Sequence, residues 1–357
     1  MTIATRPSGF RSNTNAFSTP ADMNGFSGSV SMNAVAVNSS GLFVAVGCSI
    51  SGGSAPYYAT SSNGVTWTTP AKINGSSANA SMQSITVNSS GLFVSVGLNS
   101  ANGYPLYATS TDGSTWTTPA QMNGSTTAAS MEGVTVNSSG LFVAVGDNLY
   151  ATSSNGSTWT TPAQMNGSSV IANMKKITVN SSGLFVAVGY DTNGYPLYAT
   201  SSNGSTWTTP AKMNGSSVYA AMLNVAVNSS GLFVAVGCDI SIAPLYATST
   251  DGSTWTTPAR MNGYSGLFEP DSVTCNSNGL FVAVGYSYPD NYPMYATSTN
   301  GSNWTTPVLM NGLNEKRQMH AVTANSSGLF VAVGYGEIPI FPGYVIPEPV
   351  SAYAIFP

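Results

Sequence analysis

The strongest constraint on this chain is a phrase that returns seven times. Gly-Leu-Phe-Val-Ala-Val-Gly, or a version differing at one residue, begins at Gly41, Gly91, Gly140, Gly183, Gly231, Gly279 and Gly328, at intervals of 50, 49, 43, 48, 48 and 49 residues. A period of this length marks a repeat protein, in which one unit cannot bury its own apolar faces and its neighbours must cover them.

The fourth copy shows what the unit is. Ile177-Thr178-Val179 alternates as a strand does, and Asn180-Ser181-Ser182-Gly183 supplies a turn. Leu184 to Val188 is apolar on both faces, so it must be covered on both. Tyr198 to Ser201 reads as a third strand, Asn203-Gly204 as a two-residue hairpin, and Trp207-Thr208-Thr209-Pro210 as a fourth strand. A proline suits an outermost strand, because it cannot donate to a ladder and it blunts edge pairing. Nothing in the unit reads as a helix. Four antiparallel strands covered on both faces by neighbouring copies make a propeller blade, and seven of them predict an all-β, seven-bladed β-propeller.

The ends of the chain predict closure. The tryptophan segment occurs six times, at Trp67, Trp116, Trp159, Trp207, Trp255 and Trp304, against seven apolar phrases. The seventh counterpart lies at the other end: Phe17-Ser18-Thr19-Pro20-Ala21-Asp22-Met23-Asn24-Gly25 aligns with Trp207 to Gly215, while Tyr353-Ala354 aligns with Tyr198-Ala199. The N-terminal segment is therefore expected to complete the last blade as its outer strand. On this reading residues 1–12 are an extension and 13–357 a single propeller, with a proline-rich apolar loop at 336–350 in the last blade.

Composition narrows the setting. Hydrophobic residues make up 42% of the chain but charged ones only 6%, against roughly 25% in an ordinary soluble domain. Ser, Thr, Asn and Gly supply the polarity instead, a surface more usual in secreted, cell-surface and virion proteins than in intracellular enzymes. A net charge of −4 with nine scattered Lys and Arg leaves no basic stripe for nucleic acid. No apolar run approaches the roughly 18 residues a membrane span requires. Met1 to Pro20 contains no apolar stretch resembling a signal peptide, so export is expected to use another route, such as lysis with a virus particle. Cys48, Cys238 and Cys275 are expected to be free, partly buried thiols.

The hairpins Ser110-Thr111-Asp112-Gly113-Ser114-Thr115-Trp116 and Ser249-Thr250-Asp251-Gly252-Ser253-Thr254-Trp255 resemble the Asp-box, or bacterial neuraminidase repeat. The motif here is one residue shorter between Asp and Trp, and Asn63, Asn155, Asn203 and Asn300 replace the aspartate. The resemblance covers nearly the whole chain. It implies a folding element between the third and fourth strands of a blade, with the Trp packed beneath the turn and no chemistry of its own. The enzymatic reading it suggests is a sialidase, which would need three convergent arginines, a Tyr–Glu nucleophile pair and an acid Asp. The chain has four arginines, Arg6, Arg11, Arg260 and Arg317, two of them in the terminal extension. No enzyme activity, cofactor or metal is expected, and a single histidine, His320, leaves little for histidine-based sites.

Comparison of the copies with one another points to one face. The turn after the inner strand and the Asn-Gly hairpin hardly change, whereas the loops at the opposite face vary. From the last Gly of the phrase to the Tyr of the third strand, 10, 9, 3, 8, 8, 9 and 18 residues intervene. Where the inner strand begins, six copies carry a Met followed by Asn33, Gln83, Glu132, Lys175, Leu223 and His320; the sixth has Pro270 and then Asp271. Glu132 and Asp271 are read as the only acidic residues there. Two readings of this ring stand side by side: a single asymmetric binding site, or loops that drift because nothing constrains them. Tyr57, Tyr104, Tyr195 and Tyr292, with Tyr190, Tyr286 and Tyr335 following the second strand, are assigned to the same face. Tyr beside Asn and Gly suits sugar recognition; turn and core packing is the competing account. In the 336–350 loop, Ile338, Ile340, Phe341 and Ile346 form a stiff apolar strip suited to docking a partner protein.

Three functions follow. The first is a non-enzymatic, lectin-like recognition propeller, displayed on a phage or virus particle or working outside a cell. The second is a purely structural assembly or decoration protein of a virion, and the third a degenerate glycosidase-type propeller. The partners expected are glycans or a host surface, and other virion or surface proteins reached through the termini and the 336–350 loop.

Overall fold

The alternating and apolar runs of each repeat become four adjacent antiparallel strands. The computed structural model describes residues 16–25, 29–50, 54–75, 79–125, 127–167, 172–215, 219–310, 316–336 and 350–356. These form seven four-stranded sheets, each ordered from an inner to an outer strand. The fourth blade is built from Ala172–Val179, Phe185–Asp191, Pro196–Ser201 and Ala211–Lys212. The described residues contain no α-helix, only single 3-10 turns such as Met213–Gly215.

The ring closes through the N-terminal segment. In the last blade the strand order is Ala21–Asp22, Val350–Phe356, Phe330–Gly336, Arg317–Ala324, with Ala21 opposite Tyr353 and Asp22 opposite Ala352. Ser18 N–H donates to the Ile355 carbonyl at 2.7 Å, and Ile355 N–H returns to Ser18 Oγ at 3.1 Å. Arg317 on the inner strand reaches Asp22 on the outer one at 2.6 Å, tying the segment across the blade.

Aromatic packing repeats the closure. The Tyr of each third strand meets the Trp of the next blade, as in Tyr150–Trp207 at 6.0 Å and Tyr198–Trp255 at 6.2 Å between ring centroids. Tyr353 of the last blade meets Trp67 of the first at 6.0 Å, and Phe17 takes the missing Trp position, 5.0 Å from Tyr295. Phe17 is 1% exposed. Each apolar cluster thus spans two neighbouring blades, so every blade relies on its neighbours to cover its apolar faces.

The hairpin before each Trp is closed by side chains as well as backbone. Asn203 Oδ1 accepts the N–H groups of Ser205 and Thr206, Ser201 Oγ accepts Gly204 N–H, and Trp207 Nε1 donates to the Gly204 carbonyl at 3.0 Å. Gly204 has φ +74°, and a Cβ there would sit 2.7 Å from Val143 of the preceding blade, so only glycine satisfies both the turn and the packing. Asp112 and Asp251 make the same turns.

One expectation is corrected. Trp207 to Pro210 is not the fourth strand of the ladder; that strand is Ala211–Lys212, opposite Tyr198 and Leu197. Thr208 N–H bonds the Thr200 carbonyl, but Thr200 N–H turns to the Thr208 hydroxyl rather than to its carbonyl, which breaks the ladder. Pro210, with no N–H, then separates this piece from the short strand. Beyond it, Asn214 stands at φ 45° and its amide donates to Thr257 of the next blade at 2.6 Å. The same Asn–Thr staple joins Asn24–Thr69, Asn74–Thr118, Asn123–Thr161, Asn166–Thr209 and Asn262–Thr306. The three cysteines are free and half-buried, as expected.

Candidate functional site: the bulge-lined mouth of the ring

In the fourth blade Met174 lies opposite Gly189 and Lys176 opposite Val188, so Lys175 is an extra residue in the inner strand. A bulge of this kind leaves one residue unpaired and re-aims its side chain. The same irregularity singles out Asn33, Gln83, Leu223, Asp271 and His320 in their blades. In the third blade the inner strand is shorter and begins just after Glu132, at Gly133, and Glu132 N–H bonds the Val145 carbonyl at 2.9 Å. The last Gly of the repeated phrase is what permits the bulge. A Cβ on Gly189 would lie 1.9 Å from the Asn173 carbonyl oxygen, which the bulge pushes toward the second strand.

These positions converge. Asn33, Gln83, Glu132, Lys175, Leu223, Asp271 and His320, together with Lys176, line a cavity of about 280 Å³ at the mouth of the ring. A narrower space of about 110 Å³, lined in part by Ser84, Asn224 and Ser272, shares Asn33, Lys176 and His320 with it. Asn33 is held from the next blade, its amide donating to the Met82 carbonyl at 3.0 Å. Gln83 donates to Ser81 Oγ at 2.9 Å. His320 Nδ1 lies 2.9 Å from Asp271 Oδ2, and its ring stacks on Tyr335 at 5.5 Å between centroids. Lys175 Nζ stands 5.7 Å over the Tyr190 ring.

Two residues escaped the sequence reading. Lys176 Nζ donates to the Glu132 carbonyl at 2.7 Å and to the Gln83 carbonyl at 3.1 Å, bridging blades four, three and two. Burial lowers its pKa to about 8; attraction from Glu132 raises it and repulsion from Lys175 lowers it further. In the other blades the same column holds Ala34, Ser84, Gly133, Asn224, Ser272 and Ala321. Glu269 is the second, correcting the reading of Glu132 and Asp271 as the only acidic residues there: it lies on the inner strand of blade six and accepts the Tyr286 hydroxyl at 2.9 Å. Burial, then the nearby Asp271 charge, raises the Glu269 pKa, and burial raises that of Tyr286.

The tyrosines divide. Tyr190, Tyr286 and Tyr335 belong to second strands and stand beside the bulge residues. Tyr57, Tyr104, Tyr195 and Tyr292 do not line the cavity. They lie one strand further out, where a third strand begins. The carbonyls of Tyr104, Tyr195 and Tyr292 accept from Asn99, Asp191 and Ser287 in the turn that precedes a proline, and Tyr57 packs on the blade-one core. The Tyr195 ring has Lys212 Nζ 3.3 Å from its centroid and Tyr219 stacked on it at 5.0 Å. Arg260 and Arg317 are held in ion pairs with Asp239 and Asp22 and do not line the cavity. Ile338, Ile340, Phe341 and Ile346 lie outside the described residues.

Fold and mouth together define a seven-bladed β-propeller whose ring axis opens into an asymmetric polar cavity. Comparison of the sequence with known families and with curated proteins gives no match. By structure the chain is similar to YCF48 bound to D1 peptide, with a TM-score of 0.64, 13% identity and coverage of 96% of this chain and 97% of that one. It is similar to the BP39L lectin from Burkholderia pseudomallei, with a TM-score of 0.63, 15% identity and coverage of 91% and 99%. It is also similar to the NanB sialidase from Streptococcus pneumoniae, with a TM-score of 0.50, 14% identity and coverage of 98% and 69%. At these identities the likeness shows the propeller fold, which serves enzymes and non-enzymes alike. Among the described residues no helix is long and apolar enough to cross a membrane.

Proposed function

We propose that this chain is a non-catalytic recognition propeller that holds a glycan, in the manner of a lectin, at the bulge-lined mouth of its ring. One observation carries the reading: bulges in six blades, with Glu132 in the third, turn one side chain per blade toward a shared cavity, and those side chains differ from blade to blade while the surrounding scaffold repeats. Amides, carboxylates, ammonium groups and a histidine offer the mixture of donors and acceptors that sugar hydroxyls require, with Tyr190 and Tyr335 beside them as apolar faces. A volume of about 280 Å³ falls just below the roughly 300–1,000 Å³ of drug-sized sites, a fit for one sugar unit. A surface nearly free of charge supports work outside a cell or on a virion. On the same reading residues 13–357 act as one unit, of the Asp-box kind, and residues 1–12 with the 336–350 loop attach it to other virion or surface proteins.

The test is a glycan array probed with the wild-type chain and with Leu223→Trp, which fills the mouth without removing a polar group. Binding by the wild type that disappears in the variant supports the reading; wild-type binding that survives in the variant contradicts it. The Glu269–Tyr286 and Asp271–His320 pairs favour a second reading, a degenerate glycosidase-type propeller. Turnover of fluorogenic glycosides that is lost in Glu269→Gln would establish it.

A further inference from the structure

Lys175 and Lys176 are consecutive in a strand, yet both line the cavity, because the bulge at Lys175 interrupts the alternation of faces. Lys176 is the one long charged side chain in a column of Ala, Ser, Gly and Asn. Its two hydrogen-bond partners are neutral carbonyls, and an ammonium has three donors, so one remains for the cavity. Among the described residues no carboxylate lies within ion-pair distance of either lysine, whereas Arg260, Arg317 and His320 each have one. Asp271, across the mouth, is already engaged by His320. Glu132 and Asp271 act on Lys176 only at longer range. Two neighbouring cations, one of them largely withdrawn from water, are costly to keep without a counter-ion. A ligand anion would offset that cost.

Resting on the reading of the mouth as a glycan site, we infer that the sugar it takes carries an anionic group, a carboxylate or a sulfate ester, seated on Lys175 and Lys176. The wall away from the lysines, Asp271 with His320, then faces hydroxyls, and together with Glu132 on the blade adjoining Lys176 it excludes a second anion. The arrangement orients the sugar as well as holding it. The cavity volume limits the ligand to a single charged unit, at a chain end or as a side group of a polysaccharide.

Calorimetric titration of the full chain with methyl glucoside, methyl glucuronide and glucose 6-sulfate tests this directly. The expected result is that at least one anionic sugar binds about tenfold tighter than the glucoside, that added salt weakens it, and that Lys175→Gln and Lys176→Gln each collapse the ratio. The anion preferred identifies the source as a uronic acid or a sulfated sugar. Should Lys176→Gln fail to fold, as its bridging of three blades allows, Lys175→Gln with a thermal-unfolding control carries the same test. Equal affinity for all three sugars overturns the inference and leaves the glycan site standing. Binding of none overturns both.

Discussion

At the scale of single residues, the repeat uses side chains to replace backbone partners. Trp207 is 3% exposed, closes its own hairpin through Nε1 and packs on Tyr150 of the preceding blade. Trp207→Ala therefore removes a turn clamp and an inter-blade contact together. The expected loss is about 3–5 kcal/mol in denaturant unfolding, the range for a truncated buried aromatic; a loss within experimental error would refute the packing role. Asp251 differs from its Asn counterparts in carrying charge. The Thr254 and Ser253 N–H groups lower its pKa to about 2, and the same contacts lower that of Asp112. A group whose pKa is depressed in the folded state, against about 3.9 unfolded, stabilises above about pH 4, and that stability is lost as pH falls toward about 2. Both aspartates are exposed and screened, so the effect is modest. In Asp112→Asn/Asp251→Asn, the fall of the urea midpoint between these pH values is expected to be shallower than in the wild type. An unchanged slope would contradict the linkage.

At the scale of elements, the decisive piece is the short N-terminal strand. Phe17, Ser18, Ala21 and Asp22 supply the aromatic, the backbone bonds and the ion pair that the last blade lacks. Removal of residues 1–25 is expected to expose the Val350–Phe356 edge and to produce aggregation in light scattering. Phe17→Ala is expected to lower the unfolding midpoint without changing the blade count. A monomeric deletion variant with wild-type stability would contradict closure by this strand. Strand order was legible because aligned copies expose the missing piece as a gap at one end and a surplus at the other. The outer strand was misplaced because Thr-Thr-Pro alternates as a ladder strand does, while the exchange of a carbonyl for the Thr208 hydroxyl leaves no mark in the pattern.

At the scale of the whole molecule, a repeating scaffold carries a non-repeating centre. The candidate ring from Asn33 to His320 could be found by comparing copies, because six of its members follow a Met and the seventh a Pro in register. Why those side chains face inward could not, since a bulge changes pairing and not spacing; the glycine opposite each Met is its only trace. Lys176 was passed over because it continues the strand beyond the varied position, although it alone is long in a column of small residues. The outer tyrosines Tyr104, Tyr195 and Tyr292 lie outside the mouth cavity, with their backbone carbonyls closing the turns before their prolines.

The central claim is that ligand recognition resides at the mouth. It is tested most directly by backbone amide NMR of the full chain titrated with a glycan taken from the array. The account predicts shift changes centred on Asn33, Gln83, Glu132, Lys175, Asp271 and His320, contributed by at least four blades. Changes confined to the loops around Tyr104, Tyr195 and Tyr292, or to the Asn-Gly hairpins of the opposite face, would contradict it.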